Sequence, residues 1–251
     1  MSQTPLLRVN ELSKNFWGVQ AVVRVSFNVE KGELIGIIGP NGSGKTTLVN
    51  LITGFVKPSR GRVLYNGKDI TGWKPHKVIR LGIARTFQMV RPFYKLPALK
   101  NMIVPLYSPR VKRELGGRYG NLDEVALDYL EDVGFERDSF VAYKVASVLP
   151  QGYLKRLELA KAMALRPDLI ILDELFSGLS LAEVASIMPI IEKLRYEGKT
   201  IIMIEHRLKE LFRVTDRVVV LNYGEKIAEG TGEEVMESEE VKKAYLGTEA
   251  G

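Results

Sequence analysis

The chain is predicted to fold as an α/β protein with a mainly parallel sheet, and three observations carry that prediction. An apolar run, Glu33-Leu34-Ile35-Gly36-Ile37-Ile38, leads straight into Gly39-Pro40-Asn41-Gly42-Ser43-Gly44-Lys45-Thr46, and helix-compatible spacing follows at Leu48, Val49, Leu51 and Ile52. Three further apolar runs, Leu169–Leu172, Thr200–Ile204 and Val218–Leu221, alternate with helical patterns near 181–197 and 207–213. That is the rhythm of parallel strands joined by crossover helices. Between about 89 and 165 the strand signal gives way to helical patterns, which predicts a separate helical lobe.

Taken in order, residues 6–12 and 21–29 read as strands, the second alternating at Val23, Val25, Phe27 and Val29. They predict an antiparallel β-subdomain at the N-terminus. Gly61 to Tyr65 reads as a strand that meets Asn66-Gly67, a strong two-residue turn signal. Ile83 to Phe87 is a short strand-like run. Pro92, Pro97, Pro105 and Pro109 fall within 18 residues, so this stretch is not expected to form a regular core. A helix is predicted from Asn121, with Glu124 three positions on as a capping box, and it stops at Gly134. A further helix covers roughly 153–165. The domain boundaries that follow are 1–88 with 166–230 for the core and its β-subdomain, 89–165 for the helical lobe, and 231–251 for a C-terminal helix and tail.

Composition sets limits. At 251 residues and 45% hydrophobic, the chain can bury a full core. No run approaches the roughly 18 apolar residues of a membrane-spanning helix. Met1 to Pro5 lacks the basic and apolar regions of a signal peptide. Zero cysteines exclude disulfide and thiolate chemistry, and two histidines exclude a histidine-rich metal site. Between Lys57 and Arg118 there are 15 basic residues against two acids, a local charge of +13, while the remainder carries −7. Such a block is either a solvated face or a surface for anionic headgroups or an acidic partner. It lacks the interleaved aromatics on which bases stack, so no nucleic-acid partner is expected.

The Gly39–Thr46 segment is a phosphate-binding loop. Its glycines let backbone N–H groups turn inward around a polyphosphate, and the following helix points its positive end at the same anion. Thr47 extends this helix start. Lys45 is expected to reach the β- and γ-phosphates and the Thr46 hydroxyl to ligate Mg²⁺. ATP, or another nucleoside triphosphate, is therefore the expected ligand.

Asp173-Glu174 ends the run Leu169–Leu172, and ligands bind at the C-terminal ends of parallel strands. Asp173 is expected to hold Mg²⁺ through water, and Glu174 to polarise the water that attacks the γ-phosphate. Two acids after a strand are often only a solvated turn; the phosphate loop elsewhere in the chain favours the chemical reading. Gln88 offers a neutral amide that can touch both a Mg²⁺-bound water and a phosphate. His206 follows Thr200–Glu205 and is expected to hydrogen-bond the γ-phosphate.

Phosphate loop, Gln88, a signature-like segment, Asp173-Glu174 and His206, in that order, resemble the ATP-binding-cassette (ABC) ATPases, whose core is a P-loop NTPase of the RecA-like kind. Within that family the chain resembles the ATP-binding subunits of branched-chain amino-acid importers. The narrower match rests on Gly82-Ile83-Ala84-Arg85-Thr86-Phe87-Gln88, Leu149-Pro150-Gln151-Gly152-Tyr153-Leu154-Lys155-Arg156-Leu157-Glu158, and Ala244-Tyr245-Leu246-Gly247. The resemblance implies two subunits head to tail, a homodimer or a pair with a paralogue, with Pro150, Gln151 and Gly152 of one facing the ATP of the other. It implies transmembrane permease subunits as partners and a peripheral place on the cytoplasmic face of the membrane. Arg91 to Tyr107 would form part of the docking groove. Phe16 matches the aromatic that stacks on adenine, with Trp17 as the alternative. Three positions depart from the family pattern: Pro150 at the signature serine, Leu175 at the proline after the catalytic glutamate, and Ser180 at a downstream aspartate. Ser180 is expected to hydrogen-bond across the dimer without supplying charge. Two other functions fit less of the sequence: the ATPase of a lipid exporter, and a soluble cassette ATPase acting on nucleic acid or ribosomes.

Overall fold

The structure is a computed structural model that describes residues 4–116 and 120–246. Gly247, the last residue of the C-terminal match above, and Met1 to Gln3 lie outside the described residues. In chain order the elements are β1 (Leu7–Phe16), β2 (Val19–Val29), β3 (Leu34–Ile38), α1 (Lys45–Ile52), β4 (Arg60–Tyr65), β5 (Lys68–Asp69), α2 (Pro75–Leu81) and β6 (Ile83–Arg85). Then come α3 (Ala98–Asn101), α4 (Ile103–Leu106), α5 (Pro109–Glu114), α6 (Leu122–Asp132), α7 (Gln151–Ala164), β7 (Leu169–Asp173) and α8 (Leu181–Tyr196). The chain closes with β8 (Thr200–Ile204), α9 (Leu208–Phe212), β9 (Arg217–Asn222), β10 (Glu225–Gly230), α10 (Gly232–Glu237) and α11 (Glu239–Leu246). These residues form two compact units. One holds the described residues up to Val78 together with those from Gly198 onward; the other is Ile79–Glu197.

The first unit contains the antiparallel sheet β2-β1-β4-β5. Leu7 pairs with Val29 on one side and Tyr65 on the other, so Leu7, Val9, Phe27, Val29, Val63 and Tyr65 share the buried face. The alternation expected along β2 breaks in the middle. Val22, not Val23, is buried, because the β1–β2 register shifts beside Arg24, which has a positive φ of 46°. An extra residue of this kind moves every side chain beyond it to the other face. Asn66 and Gly67 both have positive φ and join β4 to β5, the geometry of a type I′ turn.

In the same unit β3 lies between β8 and β9, parallel to both, with β10 antiparallel on β9. Every residue of β3 and β8 is buried, which explains their unbroken apolar sequences. The strand entrances are latched by side chains. Asp216 Oδ2 accepts from Leu34 N at 2.8 Å, and Thr200 Oγ1 accepts from Gly32 N at 2.9 Å.

In the second unit β6 and β7 run parallel, Ile83 opposite Leu169 and Arg85 opposite Ile171. Asn121 caps α6, but through Asp123 N at 3.1 Å rather than through a box with Glu124. Gly134, at φ 83°, ends the same helix: Phe135 N donates to Leu130 O and Gly134 N to Glu131 O, the paired bonds of a Schellman stop. Arg156 of α7 supports this stop, its Nη1 donating to Val133 O at 2.9 Å and Gly134 O at 3.1 Å. The proline-rich stretch differs from expectation. It forms the short helices α3, α4 and α5, and Leu99, Met102, Leu106 and Val111 are buried. Pro109 sits at the first position of α5, where its missing N–H costs nothing. Among the described residues no helix is long and apolar enough to cross a membrane.

Candidate active site

In the first unit the phosphate loop connects β3 to α1, as its residue types require. Gly39 (φ 149°) and Gly44 (φ 101°) hold backbone that L side chains rarely adopt. A Cβ on Gly39 would lie 2.1 Å from Leu221 O and 2.6 Å from Ser43 Oγ; one on Gly44 would lie 2.5 Å from Ala21 O. The loop is pinned from below by the β9–β10 turn, where Gly224 N donates to Ser43 O at 3.0 Å and Gly224 O accepts from Val23 N at 2.8 Å. Gly39→Ala is therefore expected to weaken ATP binding at least about tenfold and to lower stability by about 1–3 kcal/mol. Calorimetric titration and a thermal melt of the variant check both.

Lys45 is buried, and its Nζ donates to Gly39 O at 2.7 Å, Pro40 O at 2.9 Å and Ser43 Oγ at 3.4 Å. The loop's own oxygens thus hold the ammonium in place before any phosphate arrives. Asn41, Gly42 and Thr46 are exposed along the loop, Thr47 is half-buried, and Ser43 is buried. His206 is exposed and stands two residues beyond Ile204 of β8, which pairs with Ile37. Gly39 stands two residues beyond Ile37, so loop and imidazole leave adjacent strands at the same edge. Phe16 ends β1 at the hairpin turn, 37% exposed, with Lys14 Nζ 4.9 Å from its ring centre. Trp17 projects fully into solvent.

One contact in this unit was not anticipated. Tyr245 of α11 reaches the phosphate loop, where the backbone N–H of Gly39 is hydrogen-bonded to its phenol oxygen. Burial pushes the phenol up to about 12, against the opposing effect of that N–H. Tyr245 thus stays neutral beside a loop suited to an anion. The sequence offered Tyr245 only as part of a C-terminal family match, with no signal for where it packs.

In the second unit the structure brings Gln88, Asp173 and Glu174 together. Gln88 Nε2 donates to Glu174 Oε2 at 2.6 Å. Asp173, 2% exposed, accepts from Arg85 Nη2 at 2.6 Å on Oδ2, and its N–H donates to Thr86 Oγ1 at 3.2 Å. Asp173 Oδ1 is buried with no hydrogen-bond partner. An orphaned carboxylate oxygen is costly unless a cation or its hydration shell completes it. Among the described residues there is no cluster of three or more acidic or histidine side chains able to hold a metal. Mg²⁺ fits such a sparse set, because it keeps several waters and takes phosphate oxygens with one or two protein ligands. Arg85 and Thr86, which orient Asp173, were not singled out in sequence; both lie in the segment that ends at Gln88.

Pro150 is the N-cap of α7, and its Gln151 and Gly152 occupy the first turn, where no side chain caps the backbone N–H groups. Gly152 is constrained by α8, because a Cβ there would lie 2.6 Å from Glu183 Oε1. Ser180 has a task within its own chain that was not anticipated. It caps α8, accepting from Glu183 N at 3.2 Å and donating to Glu183 Oε2 at 2.9 Å in a capping box. The backbone N–H and hydroxyl of Ser180 hold the Glu183 carboxyl below its usual range. Leu175 is buried, so the residue replacing the family's proline packs in the core.

A glycine-rich loop between a buried parallel strand and a helix, with its lysine held in place, defines a P-loop nucleoside triphosphatase. Residues 22–177 match the ABC transporter family, and residues 225–251 match the branched-chain amino acid ATP-binding cassette transporter family. The chain is 36% identical over 253 residues to the high-affinity branched-chain amino acid transport ATP-binding protein BraF of Pseudomonas aeruginosa, covering 97% of this chain and 98% of that one. The crystal structure of the ADP conformation of MJ1267, an ATP-binding cassette of an ABC transporter, is similar with a TM-score of 0.84 and 33% identity, covering 98% of this chain and 100% of that one. The dimeric structure of MJ0796, a bacterial ABC transporter cassette, is similar with a TM-score of 0.78 and 26% identity over 90% of this chain and 98% of that one. The chain belongs to the ABC transporter family, as an ATP-binding and ATP-hydrolysing cassette.

Proposed function

We propose that this cassette drives an importer of branched-chain or other amino acids, bound to transmembrane permease subunits on the cytoplasmic face of the membrane. The observation that carries this reading is the similarity to BraF along nearly the whole chain, joined by the family match at residues 225–251. In function, residues 1–88 with 166–230 are the catalytic core and β-subdomain, 89–165 the helical lobe, and 231–251 the C-terminal helix and tail. Two cassettes work as a pair, a homodimer or a heterodimer with a paralogue, and the dimeric MJ0796 cassette supports that arrangement.

The roles follow from chemistry. Backbone N–H groups from Gly39 to Thr47 and the Lys45 ammonium bind the phosphates. Thr46, with Asp173 and Gln88 through water, would hold Mg²⁺, which supplies charge neutralisation on the phosphate oxygens. Glu174 takes the proton of the attacking water, and His206 donates to the γ-phosphate as charge develops. Pro150, Gln151 and Gly152 offer the open start of α7 to the nucleotide held by the partner cassette. Exposed Phe93, Tyr94, Leu96, Val104 and Tyr107 supply apolar area for the permease.

Phe16 stacks on adenine. Phe16→Ala should weaken ATP binding about 5- to 150-fold, the value of one base–aromatic stack, while Trp17→Ala leaves it within about twofold; equilibrium titration with a fluorescent ATP analogue reads both. The function as a whole is tested by affinity purification of the chain from native membranes. Co-purification of polytopic subunits, with ATPase activity raised by an amino-acid-loaded binding protein, is the expected result. ATPase activity stimulated by nucleic acid or ribosomes, without membrane subunits, would overturn the reading.

A further inference from the structure

Resting on the roles proposed above for Glu174 and Gln88, we infer that Lys155 is a positioning residue for ATP hydrolysis, fastening the signature helix α7 to the backbone of both. Lys155 is 1% exposed, and its Nζ donates to Gln88 O at 2.9 Å and to Glu174 O at 2.9 Å. The same two residues meet again through their side chains at 2.6 Å. One ammonium therefore closes a loop of contacts around the amide and the carboxylate, and all of it lies within the unit Ile79–Glu197.

Two features set this contact apart from ordinary core packing. A buried ammonium is expensive to desolvate, and an apolar side chain would fill a helix position between Leu154 and Leu157 at lower cost. The backbone that Lys155 grips is also strained. Glu174 has a φ of 49°, a left-handed conformation uncommon for a residue with a Cβ. Such strain persists only where neighbours over-determine it, and here the Glu174 carbonyl accepts from both Lys155 Nζ and Ser177 N, the latter at 3.2 Å. The left-handed turn aims the Glu174 side chain, so the ammonium that holds the turn also aims the carboxylate.

Lys155 lies one turn along the helix that Gln151 begins. A small shift of that helix start moves Nζ, and with it the carbonyls of Gln88 and Glu174. Misplacement of a reacting group by about 1 Å is enough to lower turnover about 100-fold. Lys155 thereby links the engagement of Pro150, Gln151 and Gly152 with one nucleotide to the readiness of Glu174 for another.

The test measures kcat and KM for MgATP in the full chain carrying Lys155→Met, Lys155→Arg, Gln88→Ala, Lys155→Met with Gln88→Ala, and Glu174→Gln. Lys155→Met is expected to lower kcat at least about tenfold with KM changed less than about threefold. Lys155→Arg, which keeps donors and charge, is expected to recover most of that loss. The double variant should lose little more than the worse single variant, because both substitutions act on the same carboxylate. A Lys155→Met protein with an unchanged melting temperature and kcat within about twofold of wild type would overturn the inference. So would failure of both Lys155 variants to fold, which makes the residue purely structural. Retained turnover in Glu174→Gln would instead remove the underlying reading of Glu174, whatever Lys155 does.

Discussion

Glu174→Gln should bind ATP as tightly as wild type and hydrolyse it on the order of 10² to 10⁴ times more slowly. The amide has the shape of the carboxylate and keeps an oxygen able to accept from Gln88 Nε2, now at 2.6 Å from Glu174 Oε2. Geometry therefore survives, along with the left-handed turn held through the Glu174 carbonyl. What is lost is a base able to take a proton from water, which is needed only as the transition state forms. ATP then remains uncleaved, and the ATP-bound pair of cassettes accumulates because the step that separates it does not occur. Single-turnover hydrolysis, ATP titration and size-exclusion chromatography with MgATP measure the three outcomes. Undiminished hydrolysis would refute the role given to Glu174.

Lys45→Ala should fail one step earlier, at binding. A charge-assisted hydrogen bond contributes about 1.5–3 kcal/mol, and Lys45 is expected to make at least one to phosphate, so affinity should fall about 10- to 150-fold or more. The loop itself is shaped by Gly39 and Gly44 and tied to Gly224, so the truncation leaves its path intact. The carbonyls of Gly39 and Pro40, which now accept from Nζ, lose that donor. Both residues are buried, so the lost donor should also lower stability by about 1–3 kcal/mol. Isothermal titration with ATP and Mg²⁺ measures the affinity. A value within threefold of wild type would remove Lys45 from the site. Together the two variants separate grip from cleavage, since one acts on affinity and the other on rate.

Much of the fold was legible because its signals are local. The buried strands β3, β7 and β8 announce themselves as apolar runs, and Asn66-Gly67 and Gly134 as residues suited to positive φ. The proline-rich stretch was misread because proline rules out long helices but permits one-turn helices that begin with it, as Pro109 does in α5. The bulge at Arg24 left no mark either, since a register shift depends on the neighbouring strand. Ser180 adds a local role that was not read from the sequence. Its preference for capping α8 through Glu183 is a local rule that a comparison with the family pattern passed over.

The sequence by itself determined that a phosphate loop lies between strand and helix, that acids end a buried strand, and that Gln88 and His206 follow strands of their own. Each of those statements concerns residues a few positions apart, where spacing and residue type dictate conformation. Only the tertiary structure decided which side chains hold these groups in place. Arg85 meets Asp173 across 88 positions and Lys155 meets Gln88 across 67, while Tyr245 reaches back to Gly39 from the far end of the chain. Such contacts are selected by the packing of whole elements, and a lysine or arginine bound for the interior carries the same letters as one bound for solvent.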